Sequence, residues 1–190
     1  MATTTWNLDT THTDVIFAAK HMMVTTVRGK FGTVSGNLQL DPENPSAATG
    51  SFTIAAASLN TGVEQRDGHL RSADFFDVEK YPEITFVATA VTPRSGNEYT
   101  VTGDLTIRGI TRPVALETEF LGLYTSMGGA RRAGFHATTK INREDWGLTW
   151  NVGLEAGGWL VGKDIKLEID LAVEEATAVV AGAELVAAAA

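Results

Sequence analysis

The sequence predicts an all-β protein of eight antiparallel strands that close into a barrel or stack as a sandwich. Apolar and polar residues alternate with a period of two, and the stretches between these segments are rich in turn-forming residues. Only the segment near residues 66–78 and the Ala-rich tail are compatible with a helix. Antiparallel strands with one apolar face and no alternating helices form a barrel or a sandwich. A chain of 190 residues is most simply one domain with its own core.

Eight segments are each predicted to be a strand; most alternate, whereas "GSFTIAAA" is interpreted as a strand buried on both faces. In chain order they are "TDVIFAAKHMM", "KFGTVSGNLQL", "GSFTIAAA", "EITFVATAV", "YTVTGDLTI", "VALETEF", "AGFHATTKI" and "IKLEIDLAVE".

In the first half of the chain, turn-forming residues separate the predicted strands. Val15 and Phe17 share the apolar face of the first strand, and Phe86 lies on that of the fourth. The second and third strands are separated by "DPENPS", in which Asp, Asn and Pro favour a turn.

The four strands of the second half alternate more regularly. Val101 and Leu105 share a face in the fifth strand, and "RGITRP" separates that strand from the sixth. Phe120 and Phe135 are apolar positions of the sixth and seventh strands. The eighth strand shows the cleanest alternation, from Ile165 to Glu174.

Several strand positions carry unusually small residues. Gly32, Gly36, Gly50, Ala88 and Gly103 fall inside predicted strands, where glycine weakens the strand unless a backbone or a ligand comes close. The same residues are also compatible with barrel corners or β-bulges. The sequence leaves both interpretations open.

Composition excludes several classes of function. The formal net charge of −8 argues against a nucleic-acid-binding surface, which requires clustered Lys and Arg. The absence of cysteine excludes disulfides and thiol nucleophiles. No apolar run is long enough to span a bilayer, and the first residues lack the pattern of a secretory signal, so we expect a cytoplasmic protein.

Residues 174–190 form a low-complexity, Ala-rich tail beyond the predicted barrel domain of residues 1–173. We expect this tail to be flexible or to form a short helix.

Catalytic and metal-binding motifs are weak in this chain. The four histidines have no metal-ligand spacing, and no nucleophile motif is present. We therefore expect no metal, no cofactor and no catalytic residue.

The most unusual stretch is "RDGHLRSADFFDVEKYPEITF", residues 66–86, which interleaves charges with aromatic side chains. Together with "THTDVIFAAKHMMVTTVRGKFGTVSGNLQLD", "GDLTIRGITRPVALE", "INREDWGL" and "VGKDIKLEIDL", it resembles the successive blocks of the YceI-like, polyisoprenoid-binding family. The resemblance extends from Trp6 to about Val173.

This resemblance implies a lipocalin-like antiparallel barrel with a helix or loop near residues 66–78 across one end. It also implies a non-enzymatic binding, transport or sequestering role for a polyprenyl phosphate, a polyprenyl pyrophosphate or an isoprenoid quinone. Relatives commonly pair, so we expect a homodimer. Many relatives carry a signal peptide, which this sequence lacks, and the Ala-rich tail lies outside the family pattern.

Apolar faces and the "REDWGL" block supply the residues expected to line the pore. They are Val15, Phe17, His21, Phe52, Phe86, Leu105, Phe120, Phe135 and Trp146. Most of the charged motif is expected to pin the loop, but Arg66, His69 and Arg71 are also candidate head-group contacts, because a buried anion needs donors.

Two other functions are compatible with the same fold. One is an enzyme, a hydrolase or isomerase that acts on a lipidic substrate through His21 or His69. The other is a stress or interaction protein without a ligand, whose barrel would be filled by its own side chains.

Overall fold

A computed structural model of the protein describes residues 3–126, 129–155 and 157–176. Its strands are β1 Thr4–Leu8, β2 Asp14–His21, β3 Thr25–Phe31, β4 Val34–Leu40, β5 Thr49–Ala55, β6 Leu59–Asn60, β7 Glu83–Pro93, β8 Glu98–Ile107, β9 Ile110–Thr125, β10 Arg131–Asn142 and β11 Val161–Glu175. Helix α1 spans Glu64–Arg71, and 3₁₀ turns lie at Pro45–Ala47, Ala56–Ser58 and Arg143–Trp146.

The sheet closes on itself as an antiparallel barrel. Its hydrogen-bonded order is β1-β4-β5-β7-β8-β9-β10-β11, and β11 pairs back onto β1 with Trp6 opposite Glu175. Strands β2, β3 and β6 extend this barrel, because β2 pairs with the first part of β11 and with β3, which pairs with β6. The predicted eight-stranded antiparallel barrel is therefore confirmed, and closure excludes an open sandwich.

Strand β1 is not among the eight predicted strands. The predicted second strand, residues 30–40, is wrong as a single strand, because it covers the end of β3, a break at Gly32 and Thr33, and β4. β1 is only five residues long, too short to show a clear period. It nevertheless contributes Trp6, whose side chain is fully buried between β4 and β11.

The predicted helical segment is confirmed, with α1 starting two residues earlier than expected and ending at Arg71. The helix is polar and has Gly68 at its centre, so its own helix propensity is low. Tertiary contacts hold it instead: buried Asp67 accepts hydrogen bonds from the backbone N–H and the hydroxyl of Thr61, at 2.9 and 2.5 Å.

The interior has two packed clusters at opposite ends of the barrel. The larger cluster lies beside α1 and includes Leu59, Phe75 and Trp146. The smaller one is built around Trp6 and Val173.

Strand β11 continues to Glu175, two residues past the predicted end of the barrel domain. The predicted flexible or helical tail after Ala176 lies outside the described residues.

Asp9 joins the connection between β1 and β2 to the neighbouring strands. Its carboxylate accepts hydrogen bonds from Thr11 and His12 and lies 3.1 Å from Arg132, which also pairs with Glu174. The Thr11 hydroxyl, followed by His12, lowers the pKa of Asp9 to about 2. The ionised carboxylate therefore stabilises the folded state.

We expect Asp9→Asn to lower the free energy of unfolding by about 1–2 kcal/mol at pH 7. The unfolded carboxyl titrates near 3.8 and the folded one near 2, so this stabilisation is present above pH 4 and is lost as the pH falls towards 2. Denaturant unfolding of both proteins across that range measures the effect. Asp14→Asn, which breaks only an exposed pair with Lys30, is the control and should change little. A deficit in Asp9→Asn that persists unchanged at pH 2 would contradict the assignment.

Candidate ligand-binding pore

The barrel encloses an elongated cavity that ends at the larger packed cluster, and Leu38 and Leu40 of the smaller cluster form part of its wall. Its volume is about 180 Å³, whereas roughly 10–15 Å³ of such space holds one water molecule. Hydroxyl-bearing side chains contribute only at Thr13, Thr49, Tyr99 and Thr118, and the other lining residues are aliphatic, aromatic, glycine or proline. No charged side chain belongs to the described lining. The cavity is therefore suited to an apolar chain.

The cavity is closed at the end of the barrel that carries α1. Val15, Leu105 and Val114 line it and also belong to the larger packed cluster, so they form its floor. Beneath this floor, Trp146 donates a hydrogen bond of 3.0 Å from its indole N–H to the Leu105 carbonyl. Trp146, Phe75 and Leu148 of the larger cluster, called the plug below, fill the closed end of the barrel.

The cavity opens at the opposite end. Exposed Thr49, at the start of β5, lines it together with Pro45 from the connection before that strand. Tyr99 on β8 and Thr118 on β9 lie opposite each other in the sheet and line the same end. These residues form the mouth.

Five of the nine residues predicted to line the pore do line this cavity. They are Val15, Phe52, Phe86, Leu105 and Phe135.

The other four predicted pore residues lie elsewhere. Phe17 packs against Phe31 with ring centroids 5.4 Å apart, and His21 ends β2 beside the β2–β3 turn. Phe120 packs on Phe135 and against the Trp6 cluster, and Trp146 lies in the plug. The alternating pattern identifies which face of a strand a residue is on. It does not give the height of that residue along the barrel axis, and it is this height that places the four residues away from the cavity.

The two arginines predicted as head-group contacts are bound to the chain itself. Arg66 donates from Nε to the Thr61 hydroxyl at 2.7 Å and from Nη2 to the Thr61 carbonyl at 3.1 Å. Arg71 donates to the carbonyls of Ala57 and Leu59 at 2.9 and 2.6 Å. Neither residue lines the cavity. Arg71 thus fastens the end of α1 to Ala57 and to β6, and Arg66 fastens the start of α1 to Thr61, directly after β6.

His69, the third predicted head-group contact, also lies at the closed end. Its Nε2 is 2.9 Å from an Asp74 carboxylate oxygen, and its ring packs edge-on against Phe75 and Trp150. Phe75 and Phe76 of the charged motif therefore pack in the larger cluster at the closed end, and His69 pairs with Asp74 beside them.

Arg143 is a buried cation that the sequence analysis did not single out. Only 4% of it is exposed, and it donates to the carbonyls of Gly162 and Leu148 while its guanidinium lies over the Phe75 ring. Its Nη2 has no hydrogen-bond partner. Burial lowers the pKa of Arg143, and neighbouring Glu144 partly offsets this effect. The sequence signal for Arg143 is its place in "INREDWGL", the block that also contains Trp146.

The described residues bring no three His, Asp or Glu side chains close enough to hold a metal ion. None of the described helices has the length and apolar character needed to cross a bilayer.

The model of the YceI-like domain family matches residues 6–173, almost the whole barrel. The chain belongs to the YceI-like family. Curated YceI-like relatives include UPF0312 proteins of Staphylococcus aureus and Staphylococcus epidermidis, each 39% identical over 166 residues, which cover 87% of this chain and 94% of the relative.

Solved structures have the same YceI-like barrel. BcnA of Burkholderia cenocepacia is 26% identical with a TM-score of 0.75, and covers 90% of this chain and 99% of its own. The Campylobacter jejuni YceI protein is 31% identical with a TM-score of 0.72, over 83% and 90% of the two chains. A polyisoprenoid-binding domain from Saccharophagus degradans shares the fold at 15% identity and a TM-score of 0.70, over 90% and 98%.

We expect Arg71→Met to lower the free energy of unfolding by about 2–3 kcal/mol, because two carbonyls lose charge-assisted hydrogen bonds. Chemical denaturation measures this change. The matched control is Arg94→Met, which removes an exposed pair with Glu117 and should cost less than about 1 kcal/mol. Equal, small effects of both substitutions would show that Arg71 does not fasten α1.

Proposed function

We propose that the protein binds an isoprenoid lipid in the barrel pore and carries or sequesters it without chemical change. The observation that carries this proposal is a long cavity with an uncharged, almost wholly apolar lining, closed at one end and open at the other. Membership of the YceI-like family supports it, as does the shared fold with a domain described as polyisoprenoid-binding.

The apolar contacts suffice to hold such a ligand. Burying one CH₂ group contributes about 0.8 kcal/mol, so a five-carbon isoprene unit contributes roughly 3–4 kcal/mol. A few units then exceed the cost of association, roughly 4–15 kcal/mol. Affinity would come from the chain, and the head group would determine selectivity and orientation.

A neutral head group, as in an isoprenoid quinone, fits this pore better than a phosphate or pyrophosphate. The described lining offers no cation, and burying an unpaired anion is costly. Beside the mouth, Glu98 lies directly opposite Glu119, while Glu117 is paired with Arg94, so acidic groups outnumber basic ones on this side of the rim. Arg66, His69 and Arg71 are at the other end.

The same geometry favours binding over catalysis. An enzyme acting through His21 or His69 would need that imidazole beside the bound chain, and neither residue lines the cavity. His69 is instead held by Asp74 at the plug. The open cavity also argues against a barrel filled by its own side chains.

A homodimer and a cytoplasmic location remain predictions. Light scattering coupled to size-exclusion chromatography, and fractionation of the native cells, test them.

The first experiment is native mass spectrometry of protein purified without detergent, followed by organic extraction. We expect an adduct whose extracted mass corresponds to an isoprenoid, with a neutral head group. A protein without adduct that also takes up neither an added quinone nor a polyprenyl phosphate would overturn the carrier function.

Leu116→Asp places a carboxylate in the cavity wall and should reduce the bound isoprenoid at least about tenfold, because a buried charge opposes an apolar ligand. The control is Ala115→Asp, at the exposed neighbouring position on the outer face of β9. Extracted lipid per mole of folded protein measures both. If a folded Leu116→Asp protein retained the lipid, the result would show that the ligand does not bind in this pore.

A further inference from the structure

Two aromatic rings of the cavity wall lie over glycines. Phe52 on β5 and Phe86 on β7 are direct cross-strand neighbours, and both line the cavity. A Cβ atom added to Gly103 would lie 2.3 Å from Phe86 Cζ. One added to Gly36 would lie 2.5 Å from the Ser51 carbonyl oxygen and 2.6 Å from Phe52 Cδ1. One added to Gly50 would lie 3.1 Å from the Asn37 carbonyl oxygen and 3.2 Å from Phe52 Cε2. The rings occupy space that a side chain would otherwise fill.

Two of these glycines lie on strands next to those of the phenylalanines, and the third lies on the same strand as Phe52. Gly36 on β4 is directly opposite Phe52, and Gly103 on β8 is opposite Ala88, two residues after Phe86. Gly50 lies two residues before Phe52 on β5 and therefore on the same face of that strand. These three glycines thus recess both rings into the wall, whereas Gly32, also noted in the sequence, lies in the connection between β3 and β4 and is not covered by a ring.

Aromatic rings also cover glycines away from the cavity, as Tyr81 does at Gly109 in the turn between β8 and β9 and Phe17 does at Gly29 on β3. A Cβ atom on Gly29 would lie 2.4 Å from Phe17 Cζ, but Phe17 packs against Phe31 and does not line the cavity. Covering a strand glycine with an aromatic ring therefore stabilises this sheet in general. Among the described rings that cover a glycine, Phe52 and Phe86 are the two that also line the cavity.

We propose that Phe52 and Phe86, recessed over Gly36, Gly50 and Gly103, determine the width of the pore and select a methyl-branched chain over an unbranched one. Carbon atoms in contact are about 3.5–4.0 Å apart, so a methyl group at these glycines would displace the rings towards the ligand. The narrowed pore would exclude the branch methyls first. The inference rests on the proposed function, since it concerns which chain the pore accepts.

The test compares geranylgeraniol with the unbranched saturated alcohol of the same main-chain length, both added to delipidated protein. Gly50→Ala is the narrowing variant, because its Cβ would meet Asn37 O at 3.1 Å and Phe52 Cε2 at 3.2 Å and needs only small shifts. We expect it to weaken geranylgeraniol binding about tenfold more than binding of the unbranched alcohol. Gly134→Ala, whose Cβ has ordinary contacts with Leu121, is the matched control and should change neither.

Phe86→Ala provides the opposite test and does not depend on the fold tolerating an added methyl group. It should widen the pore and raise the affinity for a rigid fused-ring sterol at least about tenfold. Phe17→Ala, which removes the equivalent ring outside the cavity, should not.

The outcomes separate the two proposals. If Gly50→Ala weakens both alcohols equally, or Phe86→Ala leaves sterol binding unchanged, the rings do not determine the width although the pore still binds lipid. If the unaltered protein binds neither alcohol, the proposed carrier function itself fails.

Discussion

Closure of the sheet through β11 is the constraint on which the rest of the structure depends. One side of this strand pairs with β10 along most of its length, and the other side pairs first with β2 and then with β1. Two consecutive strands share one partner, so the chain between them must be held against β10 and β11. Asp9 does this through Arg132, with the carboxylate kept ionised by Thr11 and His12. Once closed, the barrel divides every strand into residues that face inwards and residues that face solvent.

An eight-stranded barrel has an interior that side chains can just fill or that can hold one small ligand. This protein combines the two arrangements along the barrel axis. At one end, the charged and aromatic motif after α1 folds back and supplies Phe75 to the plug, which also contains Trp146 and Leu148. At the other end, the cavity opens at a mouth formed by Pro45, Thr49, Tyr99 and Thr118. The plug therefore limits how far a bound chain can extend.

Three arginines also follow the division of the barrel into a closed end and an open end. Arg66 and Arg71 direct their donors to backbone oxygens of neighbouring segments, and Arg143 is buried beneath Phe75. These cations hold the closed end together and leave the cavity uncharged. Since unpaired buried charge is costly, the lining favours a ligand whose polarity, if any, stays near the mouth.

Strand periodicity and turn composition predicted antiparallel strands in a barrel or a sandwich, their approximate positions, and the apolar positions that include Phe86 and Phe135. Both signals are local, because successive side chains of a strand point to opposite faces. Sequence similarity added the family and the expectation of a helical segment near residues 66–78.

Only the tertiary structure decided which inward residues meet the cavity, why β4, β5 and β8 carry glycines, and what the charged motif contacts. Phe17 and Phe86 both lie over a glycine, yet one is packed in the core and the other lines the pore. The difference depends on the register between strands and on the level along the barrel axis. Register joins residues that are distant in the chain, so a local pattern of alternation does not contain it.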